Sequence, residues 1–185
     1  MKRNYINKLR NSRLWTLPVA MLCCMACLLL TSCDDEEGGE AVEAMSTYTV
    51  TFGDDFFKAA RVVISYRTTD NKTRRDTVTS GTTWTMMVHT TKFPVETGYE
   101  VAVQPYGKNA QLEADSTYNL TMKGFIEVST SKGASYANNK EFITADEGAA
   151  VLGKDVEKLF YDHQYSLFCY YLTKDGNIQS TNYSF

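Results

Sequence analysis

The sequence predicts a mainly β fold, an antiparallel sandwich with one amphipathic helix and a C-terminal β-hairpin. Three observations predict it. Apolar and polar residues alternate over short runs, as with Tyr48, Val50 and Phe52 against Thr47, Thr49 and Thr51, the period of a strand with one wet face. Turn-forming clusters such as Asp70-Asn71-Lys72 and Ser80-Gly81 separate those runs. Only one stretch, between Leu152 and His163, carries a helical period.

The chain opens with a different pattern. Residues 1–32 hold Lys2, Arg3, Lys8, Arg10 and Arg13 and no acidic residue. An apolar run from Leu14 to Leu30 follows, broken only by Thr16 and Pro18. A basic start, an apolar middle and a small-residue end describe a cleaved secretory signal. The run is short for a membrane span, which needs about 20 apolar residues. Leu30-Thr31-Ser32-Cys33 resembles the bacterial lipobox. The resemblance implies cleavage before Cys33 and lipidation of its thiol, with the membrane as a partner through that lipid. Several acyl chains, at about 0.8 kcal/mol per buried CH₂, hold where one would be reversible. Asp34-Asp35-Glu36-Glu37 reads as a solvated charge cluster. It also resembles the export signal of Bacteroidota lipoproteins, which implies display on the outer face of the outer membrane. Residues 33–45 are expected to form an acidic flexible tether, and 46–185 a single domain.

The domain's strands follow in order. Tyr48, Val50 and Phe52 face inward until Gly53-Asp54-Asp55 stops the strand. Phe56-Phe57 then plugs the end of the core, the alternative being an exposed contact; adjacent phenylalanines are costly to leave wet. Val62, Ile64 and Tyr66 give the next strand its inner face. Thr73 to Thr79 is polar enough for an edge, where charge and threonine discourage stray pairing. Trp84, Met86 and Val88 line the following strand.

Phe93, Thr97, Tyr99, Val101 and Val103 stand at the spacing of the tyrosine corner, so this region, 46–128, resembles immunoglobulin and fibronectin type III sandwiches. The resemblance implies that the Tyr99 hydroxyl bonds back to the preceding crossover. Leu112, Ser116, Tyr118, Leu120 and Met122 repeat the spacing, and Tyr66 stands where type III domains carry a Trp. A strand is expected from Thr117 to Thr130 and a loop from Ser131 to Lys140. Thr144-Ala145-Asp146-Glu147 matches a capping box. It would open a helix whose face is Leu152, Val156, Leu159, Phe160 and His163, with Gly153 costing about 1 kcal/mol. Tyr165 to Thr173 is apolar on both faces, hence a buried strand. Lys174-Asp175-Gly176-Asn177 turns it into a final strand. The stretch 131–185 thus forms a helix-hairpin extension that completes or caps a sheet.

Composition excludes several functions. Beyond residue 32 the chain carries 14 basic and 22 acidic residues, the wrong balance for nucleic acid. On the signal and lipobox resemblance Cys23, Cys24 and Cys27 would leave with the signal and Cys33 would be acylated, so Cys169 alone would remain, expected as a buried, inert thiol. His89 and His163 have no partners at metal-ligand spacing. No phosphate loop, nucleophile elbow or His-Glu-x-x-His motif occurs. The expectation is therefore no catalytic residue, no metal and no cofactor. Paired carboxylates of a hydrolase acting on surface polymers meet only in the fold, so that reading stays as the alternative.

Aromatics give the remaining lead. The chain has twelve Tyr, eleven of them beyond residue 32, which is generous for one domain, and exposed rings on a sheet could stack on sugars. Tyr106, Tyr136, Tyr161 and Tyr170 are the candidate ligand contacts. Asp76-Thr77-Val78 and Asp115-Ser116-Thr117 resemble the O-glycosylation acceptor of exported Bacteroidota proteins, which implies Thr77 and Ser116 as acceptors. The expected function is a non-enzymatic envelope protein binding a glycan or protein, or an accessory subunit of a surface assembly.

Overall fold

The computed structural model of the chain describes residues 42–69, 71–144 and 150–181. The signal segment, Cys33 with its acidic run, and Ala145-Asp146-Glu147 of the capping box lie outside the described residues.

The elements are β1 (Ala44–Phe52), α1 (Phe56–Ala59), β2 (Ala60–Arg67), β3 (Thr73–Val78), β4 (Thr83–Thr90), β5 (Val95–Pro105), β6 (Thr117–Tyr118), β7 (Met122–Thr130), β8 (Ser135–Ile143), β9 (Val151–Leu152), α2 (Val156–Asp162), β10 (Tyr165–Leu172) and β11 (Ile178–Ser180). They build a four-stranded sheet in the order β4-β1-β7-β8 and a five-stranded sheet in the order β11-β10-β5-β2-β3, with β6 and β9 as a small separate pair. Both main sheets are antiparallel throughout.

Alternation sets the inner faces. Tyr48 and Val50 of β1 and Ile126 and Val128 of β7, from the four-stranded sheet, are fully buried against Val62 and Ile64 of β2 and Tyr99 and Val101 of β5. Two tyrosines cross the core in opposite directions. Tyr48, from the four-stranded sheet, accepts the Gly98 amide at 3.2 Å and bonds Thr97 Oγ1 at 2.6 Å; Thr97 in turn donates to Ser46 Oγ at 2.7 Å. Tyr99, from the five-stranded sheet, shares its hydroxyl proton between the carbonyls of Thr49 at 3.0 Å and Phe125 at 3.1 Å. Burial pushes both phenols above their ordinary range, because a phenolate has no solvent there. Buried Ser46 and Thr97 are thereby satisfied, as buried polar groups must be.

Tyr99 therefore departs from the corner expected of it. It stands mid-strand, with its ring aimed across the core, so its hydroxyl reaches the opposite sheet rather than the crossover behind it. Space for that reach comes from Gly124, where a Cβ would sit 2.7 Å from the Tyr99 oxygen. The local, corner-like bond belongs to Tyr118, whose hydroxyl accepts the Glu113 amide five residues upstream at 2.7 Å.

Four further expectations change. β1 starts at Ala44, inside the segment expected as tether, because Ala44 is buried and faces Thr90 and Thr130. The strand expected over 117–130 is two, β6 and β7, parted at 119–121. Residues 131–140 are not simply a loop: a turn leads into β8, which pairs along β7. The helix is shorter than its period suggested. Leu152 belongs to β9 and pairs with Thr117, and Gly153 leads a 3₁₀ turn (Gly153–Asp155) into α2. A side chain at 153 would collide with the Glu113 carbonyl. The described strands beyond residue 131 complete both sheets, β8 as an edge of one and β10 as the partner of β5 in the other.

Candidate ligand-binding site

Three connections meet at one end of the sandwich: β1 to β2, β3 to β4, and the segment leaving β5. Between them lies an open cleft of about 620 Å³, within the range of small-molecule sites. Asp54, Phe57 and Lys58 line it from the first connection, Ser80, Gly81 and Thr82 from the second, and Tyr106, Asn109 and Gln111 from the third.

The walls are tied by main-chain bonds. Phe52 donates its amide to Thr82 O at 2.9 Å, Tyr106 to Ala59 O at 2.9 Å, and Gln111 to Lys58 O at 3.0 Å. Asp55 braces the first connection from behind. Its carboxylate accepts the Asn119 amide at 2.9 Å and the Lys58 ammonium at 2.7 Å. Those bonds, Lys58 first, hold its carboxyl below the usual carboxylate range, and Lys58 is raised in return. Lys58 also lies 5.9 Å from the centre of the Tyr118 ring.

Phe56 and Phe57 divide the two readings open to them. Phe56 is fully buried and plugs the core, its ring 5.4 Å from that of Phe160 on α2. Phe57 is half-buried, backed by Phe52 at 4.8 Å and Phe56 at 5.4 Å, and turns toward the cleft. A ring held by two others is a fixed surface, so little entropy is lost when a ligand covers it.

Of the aromatics singled out by sequence, Tyr106 lies in the cleft, half-buried, at the start of the 3₁₀ turn Gly107–Asn109. Tyr161, on α2, is 74% exposed. Tyr136 is exposed on β8 and packs 4.9 Å from the Tyr170 ring. Tyr170 is buried and accepts the Asn138 side-chain amide at 3.1 Å, so it supports Tyr136 from within and offers no face to a ligand. Desolvation pushes its phenol to about 12. Tyr165, which sequence reasoning passed over as part of a buried strand, is 69% exposed.

Asp54, Asn109 and Gln111 were also passed over, since residues from separate connections share no period. Thr77 is exposed on the edge strand β3; Ser116 is half-buried and bonds Glu113 at 3.2 Å. Cys169 is buried on β10. His89 is exposed and 3.3 Å from Glu43, and His163 bonds the Leu159 carbonyl at 2.9 Å.

Protein-family models, curated proteins and solved structures give no match to this chain. Chemistry alone therefore weighs the cleft. It offers two aromatic surfaces, two amides, hydroxyls from Ser80 and Thr82, and one carboxylate, Asp54. Among the described residues no helix is long and apolar enough to cross a membrane, and no three His, Cys, Asp or Glu gather around a possible metal position.

Proposed function

We propose that this chain is a lipid-anchored outer-membrane protein, held through Cys33 and facing the cell exterior, whose domain binds a glycan without transforming it. The observation that carries the reading is the cleft: two ringed surfaces, Phe57 and Tyr106, flanked by Asn109 and Gln111 on connections that the sandwich holds rigid. Aromatic rings stack on the apolar face of a pyranose while amides meet its hydroxyls. A hydrolase of surface polymers is the weaker reading, since that chemistry uses two facing carboxylates. Asp54 is the single carboxylate among the cleft's lining residues, and Asp55 is turned to Lys58 and Asn119.

An immunoglobulin- or fibronectin type III-like ancestry belongs to the same proposal. Strands β1 to β5 run as B, C, C′, E and F run in those sandwiches: β1 beside β4, and β3-β2-β5 in the facing sheet. β10 then takes the place of strand G beside β5. The place of strand A beside β1 is taken by β7, from later in the chain. In that frame the cleft lies at the loop end that variable domains use for recognition.

The test is binding of the purified full chain, in non-ionic detergent, to a panel of host and microbial oligosaccharides. Saturable binding that is lost in Tyr106→Ala and Phe57→Ala, with unfolding temperature maintained in at least one of the two, supports the reading. No binding across the panel refutes it.

One observation favours a second reading, an accessory subunit joined by strand addition. β4 is an eight-residue edge with no Lys, Pro, Asp or Glu, and its Met87 is 64% exposed. The β3 edge carries Arg74, Arg75 and Asp76, and the β8 edge Lys140 and Glu141, the usual protection against pairing. Crosslinking from position 87 on intact cells tests it: a discrete adduct supports a subunit role, and none refutes it.

A further inference from the structure

We propose that the cleft selects neutral glycan ends and rejects acidic ones, with Asp54 as the residue that discriminates. This rests on the glycan-binding reading and adds its substrate class. Charge decides the preference. Among the described residues that line the cleft, Lys58 and Asp54 are the only ionisable side chains besides the Tyr106 phenol. Lys58 is paired with Asp55, 2.7 Å from its ammonium, so the two together add no net charge. Asp54 is exposed and has no hydrogen-bond or ion-pair partner among the described residues, so its carboxylate is the uncompensated charge at the cleft.

A carboxylate suits a neutral sugar, because it accepts hydrogen bonds from hydroxyls, and charged acceptors make roughly twice as strong a bond as neutral ones. The same group opposes a uronate, sialate or sulfate brought within a few ångström, where like charges repel and the one ammonium lining the cleft, Lys58, is engaged by Asp55. Asn109 and Gln111 are neutral and serve either kind of sugar. Phe57 and Tyr106 supply stacking and set no charge preference. The discrimination therefore falls on one side chain.

The experiment measures binding of the full chain in non-ionic detergent to matched hexasaccharides at 50 mM and 500 mM salt: cellohexaose, mannohexaose and chitohexaose against oligogalacturonate and a sulfated heparin fragment. The expected result is a preference for at least one neutral ligand, about tenfold or more (~1.4 kcal/mol), that narrows at high salt as screening sets in. Asp54→Asn is expected to cut that preference to about threefold or less, chiefly by admitting the acidic ligands. Equal binding of neutral and acidic ligands, or a preference unchanged in Asp54→Asn, overturns the selectivity and leaves the sugar site standing. Binding of no sugar overturns both. A wild type that prefers the acidic ligands overturns the charge argument outright.

Discussion

Gly124→Ala is the substitution whose outcome the packing decides most sharply. Two effects favour alanine: relief of the conformational freedom of the unfolded chain, about 0.4–1 kcal/mol, and better strand propensity, about 0.5–1 kcal/mol, which overlap in origin and do not simply add. Against them stands a Cβ placed 2.5 Å from Phe142 Cε2 and 2.7 Å from the Tyr99 hydroxyl. Both neighbours are buried, and Tyr99 is held by two carbonyls of the sheet that carries Gly124. Neither can swing into solvent. Overpacking of this kind costs about 1–3 kcal/mol, and loss of the Tyr99 bonds adds about 1 kcal/mol. The collision wins, and Gly124→Ala is expected to destabilise by roughly 1–3 kcal/mol in urea unfolding. Phe142→Leu alone is expected to cost on the order of 1–2 kcal/mol through the void it leaves. In the double variant the new methyl fills that void, so the two costs fall short of additivity by about 1 kcal/mol or more. A neutral or stabilising Gly124→Ala refutes the reasoning. Strict additivity in the cycle shows that the methyl meets something other than Phe142.

Tyr99→Phe keeps the ring and removes the proton shared by Thr49 and Phe125, and is expected to cost about 1–2 kcal/mol; a thermal unfolding midpoint equal to wild type would count against the cross-core bond. Asp55→Asn weakens the bond to the Asn119 amide and loses an exposed ion pair with Lys58 that solvent screens, so stability falls at pH 7, by about 0.5–1 kcal/mol from the Asn119 bond. Because the folded Asp55 carboxyl titrates below its ordinary value of 3.8, that contribution is present above this value and lost as pH falls through the lowered one. The difference between wild type and Asp55→Asn should therefore shrink below pH 4; a gap constant down to pH 2 contradicts it. At the alkaline end the sign reverses. Tyr48, Tyr66, Tyr99 and Tyr170 all hold their protons above the ordinary value of 10.0, Tyr170 to about 12. Their contribution is complete below pH 10 and declines as pH climbs toward 12, since the unfolded chain releases these protons first. Urea midpoints between pH 8 and 12 measure the decline, and Tyr170→Phe should make it shallower.

Strands with one face in the core were legible because burial writes a period of two into the sequence. Tyr48-Val50-Phe52 and Tyr99-Val101-Val103 needed no structure to be seen. β8 left no such trace: at an edge, Ser135 to Glu141 stay largely wet on both faces, and only Phe142 and Ile143 are fully withdrawn. The helical period from Leu152 to His163 joined two elements, a β9 residue that closes on Thr117 and a helix that begins only at Val156. Tyr99 was found as a buried phenol needing a partner, but its partner depended on the absent side chain at 124, two strands away. The cleft was half visible. Tyr106 and Phe57 stood out as aromatics, whereas Asp54, Asn109 and Gln111 come together only when three connections meet at one end.

β1 is also where the described domain would feel tension. It begins at Ala44 and lies in the interior of its sheet, bonded along β4 on one side and β7 on the other. A strand pulled across its ladder unzips one hydrogen bond at a time, whereas one pulled along its length loads all of them. Here a pull along β1 loads two ladders in parallel, together with the Tyr48 hydroxyl and the clasp between Glu43 and Ser131, whose amides bond the Ser131 hydroxyl and the Glu43 carbonyl at 2.9 Å each. Rupture then requires the bonds to fail nearly together, in shear. A load entering from the N-terminal side of β1 would meet a strand bonded along both of its edges.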